Sequence, residues 1–273
     1  KSIIDIYNSE ELKITLCAPT GRAAKRMTEA TGEEAKTLHR VLEIGKFASE
    51  DEINPDLLVT PIDANVVIVD EASMIDLFLM NYLMKALYNG TKLVLVGDEN
   101  QLPSVGPGNV LKDIISSGQV PVVTLNKIFR QAAKSKIILN SHKVNEGESF
   151  IGIKQENEEE LLQDFFFIQE NNKDNIIKQI VSLCTGRLEK YGNYDFIKNI
   201  QVITPTKKGN LGTKELNQVI QSNVNPFETT KKEKKFGDAI FRQGDRIMQV
   251  KNNYDIFWER DGKTNEAGSG VFN

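Results

Sequence analysis

The sequence predicts a doubly wound α/β fold, in which a parallel sheet is covered by helices on both faces. Three observations lead there. Short β-rich runs alternate with helical stretches along the first half of the chain, and the compact solution for that pattern is a parallel sheet with crossover helices. The runs VVIV (66–69) and LVLV (93–96) do not alternate with polar residues, as expected of strands buried on both faces. With 273 residues, 40% hydrophobic and 26% charged, the chain is globular in composition and long enough for one large domain or two ordinary ones.

Taken in order, a strand over 13–17 leads through Pro19, Thr20 and Gly21 into a helix over 21–30. Strands at 66–69 and 92–96 flank a helix over 76–88. The pattern restarts near Gly118, with strands at 120–125, 165–168 and 200–204, helices at 132–144, 173–188 and 214–223, and a β-rich tail at 239–250. A first domain over 1–118 and a second α/β domain over 119–273 are the expectation. The polar stretches 46–55 and 152–160 read as loops or hairpins, and the charge run 229–235 as solvated surface.

Composition narrows the function classes. No apolar run approaches the roughly 20 residues needed to cross a bilayer, and residues 1–11 lack an apolar segment followed by a small-residue cleavage site. A cytoplasmic chain without a membrane partner is expected. Cys17 and Cys184 are the two cysteines; far apart and without neighbouring histidines, they suggest neither a disulfide framework nor a zinc site, and both are expected to be buried. A net charge of −4 speaks against gripping nucleic acid by bulk charge and leaves room for a local basic groove.

Four segments carry chemistry. In VVIVDEAS (66–73) an apolar strand ends in two adjacent carboxylates. Ligands of open parallel sheets collect at the carboxyl ends of strands, so Asp70 and Glu71 are placed to hold a Mg²⁺ ion through water and to orient an attacking water. The bland reading of the pair is a cap for the next helix. In LVLVGDENQLPSVGPGN (93–109) another strand runs into a glycine- and proline-rich loop, where Gln101 is a candidate sensor of a terminal phosphate. In KITLCAPTGRAAKRM (13–27) exposed amides at a helix start, with Pro19, Thr20 and Arg22 beside them, suit nucleic-acid phosphates. Lys25 and Arg26 read equally well as that helix's solvated face. His39 reads either as a nucleotide-stacking residue or as a structural histidine. In LNKIFRQ (125–131), Arg130 is a candidate cation for the charge that develops on a transferring phosphoryl group, or else a surface ion-pair partner.

In this order and spacing the four segments resemble motifs Ia, II, III and IV of superfamily 1 helicases, specifically the RecD-like group, also called exonuclease V alpha subunits. ITPTKKGNLGTKELNQVIQSNVNP (203–226) and FRQGDRIMQVKNNYDIFWER (241–260) resemble later blocks of that group, and the closing GVFN resembles the start of its NGD segment. The resemblance implies two RecA-like parallel-sheet domains of the P-loop NTPase type, using ATP and Mg²⁺ to move 5′ to 3′ along single-stranded DNA. It makes Asp70 the Mg²⁺ residue, Glu71 the catalytic carboxylate, and Gln101 and Arg130 the γ-phosphate sensors. Pro19, Thr20, Arg22 and His39 would face DNA in the first domain, and Thr204, Pro205, Lys207 and Asn252 in the second. A small duplex-splitting hairpin is implied near residues 45–60. Further subunits of an exonuclease V type complex are possible partners.

One part of the pattern is missing. No GxxxxGK[ST] loop occurs in the chain, although such a motor needs that cradle for its phosphates. Residues 1–20 resemble the helix that normally follows the loop, and the last helicase motif is absent as well. The expectation is therefore a first domain without its P-loop and little ATP turnover by this stretch alone. Two rivals stand beside the motor: a nucleic-acid-binding scaffold that lost its engine, and an exonuclease, for which only the Asp70–Glu71 pair and Asp98 sit at strand ends.

Overall fold

Parallel strands need neighbours on both sides before continuous apolar runs can be buried, and the strand order shows which run has them. The structure is a computed structural model that describes residues 1–44, 59–125, 134–150, 162, 164–248, 257–259 and 267–269. The chain divides into two compact units, Lys1–Arg130 and Gln131–Phe272. In the first, strands β1 (Ile14–Ala18), β2 (Ala35–Thr37), β3 (Val66–Val69) and β4 (Lys92–Leu95) form one sheet in the order β2-β1-β3-β4, all pairs parallel.

All four residues of β3 are buried, and their alternation splits the core into two layers. Val66 and Ile68 pack with Ile4 of helix α1 (Ser2–Ser9) and Met27 of α2 (Gly21–Thr31). Val67 and Val69 face Leu38 of the short α3 (Leu38–Val41), Leu79 and Leu83 of α4 (Leu77–Ala86), and Val110 and Leu111 of α5 (Val110–Ser117). The α/β class with helices on both faces is thus borne out. The expectation for LVLV needs correction: Leu93, Val94 and Leu95 are only partly buried and Val96 is 40% exposed. Among the described residues β4 pairs with β3 alone, and an edge strand lacks the second neighbour whose helices would cover it.

Helix starts follow capping chemistry. The Thr20 Oγ1 accepts the Ala23 N–H (3.3 Å), and α2 stops at Gly32, whose φ of 85° is the left-handed conformation that glycine adopts without a Cβ penalty. At α4 the Asp76 carboxylate accepts the Leu79 N–H at 2.7 Å. The loop after β4 folds back onto this cap. The Leu77 N–H donates to the Pro107 carbonyl at 2.9 Å, and a Cβ at Gly106 would lie 2.0 Å from Asp76 Oδ2 and 2.7 Å from its Cγ. Gly106→Ala is therefore expected to dislodge the cap and cost about 1–2 kcal/mol, read as a lower denaturant midpoint with unchanged m-value; an unshifted midpoint would show that the loop yields freely.

The second unit holds α6 (Lys136–Asn145), α7 (Lys173–Ser182), a π-helical turn (Leu183–Arg187), α8 (Leu188–Gly192), α9 (Phe196–Asn199) and α10 (Thr213–Val224). The helix expected over 173–188 is interrupted at Gly186, which has φ 148° inside the π turn. Its described strands form two antiparallel hairpins, β5 (Glu233–Phe236) with β6 (Ala239–Arg242) and β7 (Phe257–Glu259) with β8 (Ala267–Ser269). The segments 120–125, 165–168 and 200–204, expected as strands, carry no strand pairing among the described residues. Leu125 is 94% and Ile203 88% exposed, so nothing there completes a ladder. Of the β-rich tail expected over 239–250, residues 239–242 form β6 while 245–248 carry no strand, and strand structure begins earlier than expected, with β5 inside the charge run. The 46–55 and 152–160 stretches lie outside the described residues.

Polar contacts fasten the β5–β6 hairpin to α10. The Gln221 side-chain amide donates to Asp245 Oδ2 (2.6 Å) and to the Ile240 carbonyl (2.8 Å), while Asn225 Nδ2 donates to Asp245 Oδ1 (2.8 Å). At α6, Asp164 accepts the Ser135 hydroxyl (2.6 Å) and the Lys136 N–H (2.9 Å). The Ser135 hydroxyl first, with the amides of Ile137 and Lys136, holds the Asp164 carboxyl below its ordinary 3.8. A depressed folded-state pKa stabilises above the unfolded value and ceases to do so as pH falls through the folded one. The stability gap between wild type and Asp164→Asn should therefore be open at pH 7 and narrow once pH drops below 3.8; a gap that is constant with pH would contradict the assignment.

Both cysteines are free and buried. The Cys17 thiol, pushed up to about 12 by burial, lies on β1 beneath the sheet's helices and donates to the Ile68 carbonyl at 3.6 Å.

Candidate functional site

Because the four strands of the first unit are parallel, their carboxyl ends share one edge of the sheet, and each expected residue of this unit that the structure describes follows one of those ends. His39 follows β2; Pro19, Thr20 and Arg22 follow β1; Asp70 and Glu71 follow β3; Gln101 lies in the loop after β4. Topology alone gathers them.

Backbone hydrogen bonds tie three of these ends together. The Asp70 N–H donates to the Cys17 carbonyl at 3.0 Å, the Val96 N–H to Val69 at 2.8 Å, and the Ala72 N–H back to Val96 at 2.8 Å. The acidic turn is therefore anchored to β1 on one side and β4 on the other. Within it, Asp70 Oδ1 accepts the Glu71 N–H at 2.9 Å, and both side chains are half-buried. Glu71 has φ 53° and ψ 41°, a left-handed conformation that costs an L-residue roughly 1–2 kcal/mol. Such strain persists only where the surroundings enforce it, and it concentrates at functional turns. Here it aims the second carboxylate away from the direction β3 would have carried it.

Thr20 is half-buried and caps α2, which leaves its hydroxyl proton as a donor; Arg22 is exposed beside it. Exposed as well, Gln101 follows an Asp98 turn in which Asp98 Oδ1 accepts the Asn100 N–H (2.9 Å) and the Asp98 carbonyl accepts the Gln101 N–H (3.2 Å). That loop leaves the sheet through Gly97. A Cβ there would lie 3.1 Å from the backbone nitrogens of both Ala72 and Ser73 and 2.9 Å from Leu111 Cδ2, so only glycine lets the two loops approach this closely.

The donor set suits a hard dication held through water. Asp70 offers oxygen, half-exposed, with one carboxylate oxygen occupied by a backbone amide; Mg²⁺ takes oxygen ligands and keeps several of its waters. Among the described residues no three His, Cys, Asp or Glu side chains cluster as a fully protein-ligated metal would require.

In the second unit, Thr204, Pro205 and Lys207 lie on the loop before α10. Thr204 donates its hydroxyl to the Leu211 carbonyl at 2.6 Å, and the Thr213 N–H donates to Thr206 at 3.0 Å. Thr204 and Pro205 border a cleft of about 420 Å³ floored by Ile176, Ile180 and Leu216, with Lys173 and Lys208 at its wall. Lys207 itself is exposed. Arg130, Asn252 and the expected hairpin stretch 46–55 lie outside the described residues. Sequence reasoning passed over Gly97, Ser73 and Lys208; a lone glycine, serine or lysine carries no pattern, and only packing distinguishes them.

The family described as AAA domain matches residues 1–165, and the family described as ATP-dependent RecD-like DNA helicase SH3 domain matches 216–273. The chain is 34% identical over 256 residues to the ATP-dependent RecD2 DNA helicase of Deinococcus radiodurans, covering 93% of this chain and 32% of that protein. It is 32% identical over 171 residues to the RecBCD enzyme subunit RecD of Mycobacterium tuberculosis, covering 55% of this chain and 29% of that one. This chain belongs to the AAA-domain family and is RecD-like. The RecD-like chain spans about a third of the length of these curated relatives. Among solved structures, unliganded Pif1 from Bacteroides sp. aligns over 41% of this chain and 28% of that one at 22% identity and a TM-score of 0.28, a partial likeness from which no functional point is taken. Among the described residues of the RecD-like chain, no helix is long and apolar enough to cross a membrane.

Proposed function

We propose that this RecD-like chain is part of the ATP-driven motor of a DNA helicase acting in repair or recombination, moving 5′ to 3′ on single-stranded DNA in the cytoplasm. One observation carries the reading: a strained Asp70–Glu71 turn at the carboxyl end of the central strand, bonded through the backbone to the start of the Gln101 loop. A capping role does not explain it, because Asp76, not Asp70 or Glu71, caps the following α-helix.

In this reading Asp70 holds the waters of Mg²⁺, which supplies charge to the nucleotide phosphates when bound. Glu71 orients and deprotonates the attacking water, and Gln101 senses the terminal phosphate. Arg130 is assigned, on sequence grounds, to the developing charge. Pro19, Thr20, Arg22 and His39, at the same sheet edge, are assigned to DNA, together with Thr204, Pro205, Lys207 and Asn252 in the second unit. Association with subunits of an exonuclease V type complex belongs to the same reading, since relatives carry the name RecBCD enzyme subunit RecD.

The test uses the full-length protein on a duplex with a 5′ single-stranded tail. ATP-dependent strand separation, lost without the tail, is the expected result. DNA degradation with Mg²⁺ and no ATP would favour an exonuclease instead, and DNA binding without either activity would favour a scaffold.

A further inference from the structure

Removing one buried hydroxyl should separate what holds the carboxylate turn together from what makes it work. Ser73 lies two residues after Glu71, in the 3₁₀ turn Ala72–Met74. Only 7% of the residue is exposed, and among the described residues its Oγ is the one buried side-chain nitrogen or oxygen without a hydrogen-bond partner. Buried hydroxyls are nearly always paired, and an orphan calls for an explanation. Leaving one unpaired is costly, whereas alanine of almost the same shape avoids that cost.

The surroundings point to the missing partner. The Ser73 backbone nitrogen is packed against Gly97, where even a methyl group would come within 3.1 Å of it. The Ala72 N–H is bonded to Val96 at 2.8 Å. The segment that continues from Gly97, Asp98–Gln101, is exposed and rich in donors and acceptors, so it can shift without breaking a core. Ser73 thus stands at the junction between a strained, anchored acidic turn and an exposed polar loop.

We infer that Ser73 is a positioning residue that couples the two loops: its hydroxyl is unpaired in this conformation and gains a hydrogen bond to the Gly97–Gln101 segment only as that segment closes on the nucleotide in the transition state of hydrolysis. The bond forms only in the working state, so it favours that state without stabilising the resting one. This rests on the motor reading above.

The experiment measures ATP turnover by the full-length protein with saturating single-stranded DNA, for wild type, Ser73→Ala, Ser73→Cys and Glu71→Gln. Ser73→Ala is expected to lower kcat roughly tenfold, the worth of one ordinary hydrogen bond at the upper end. Its KM for ATP should be near wild type, and it should melt no lower than wild type. Ser73→Cys keeps the shape at a slightly larger size and replaces a good donor by a poor one, so it should lose turnover similarly. Wild-type kcat in Ser73→Ala, turnover restored by cysteine, or a loss matched by a lower melting temperature would each overturn the coupling role and leave a packing role. If wild type shows no turnover, or Glu71→Gln turns over like wild type, it is the motor reading that fails.

Discussion

Glu71→Gln in the full-length protein is expected to abolish ATP turnover, by a factor of about 10²–10⁴, the usual worth of a positioned general base. Nucleotide binding should persist, because the amide is isosteric and the lost interaction belongs to the transition state. The fold should persist as well. Glutamine and glutamate are equally ill suited to φ 53°, so the exchange neither relieves nor adds backbone strain. Equal losses of binding and turnover would instead mark Glu71 as a ligand of the ground-state complex. Glu71→Gly supplies the complementary control: glycine adopts the left-handed region without penalty, so this variant should be no less stable than wild type and equally inactive.

The second large effect is on stability. Leu83 in α4 is fully buried in the layer that contains Val67 and Val69. Leu83→Ala is expected to cost about 3–4 kcal/mol, transfer and cavity terms together. Since Asp76, the cap of α4, lies six residues after Asp70, and α4 rests on the back of the same strand, the loss should also be felt at the site. A partly destabilised variant should show lower turnover that recovers with cooling, whereas Glu71→Gln should stay inactive at every temperature. A denaturant midpoint within error of wild type would contradict the assigned core.

Much of the first unit was legible because its signals are local. VVIV followed by two acids reads as a buried strand with a charged end, and β3 is buried throughout with Asp70 and Glu71 at its carboxyl edge. Pro19–Arg22 and Gln101 could be placed at that edge for the same reason, since following a parallel strand fixes the edge whatever the strand order; His39 could not, because β2, the three-residue strand it follows, carries too short a pattern to be read. The order itself is non-local. LVLV has nearly the composition of VVIV, yet it is only half-buried with one partner in the described sheet. Positive φ at Glu71 has no sequence signature in a residue other than glycine, and that the Ser73 hydroxyl is buried without a partner depends on tertiary packing. In the second unit, β-branched and aromatic runs such as 165–168 and 200–204 suggested strands. Such runs become strands only when a partner supplies the ladder, and among the described residues none does.

Whether nucleotide-bound metal sits at the Asp70–Glu71 turn can be measured without recourse to activity. Fe²⁺ replaces Mg²⁺ in the ATP complex of the full-length protein, and ascorbate with peroxide then cuts the backbone next to the bound ion. Cuts at residues 69–72 and 97–101 that require nucleotide and vanish in Asp70→Ala are the expected result. Cuts confined to other segments, or an unchanged pattern in Asp70→Ala, would place the nucleotide away from this sheet edge and contradict the motor reading.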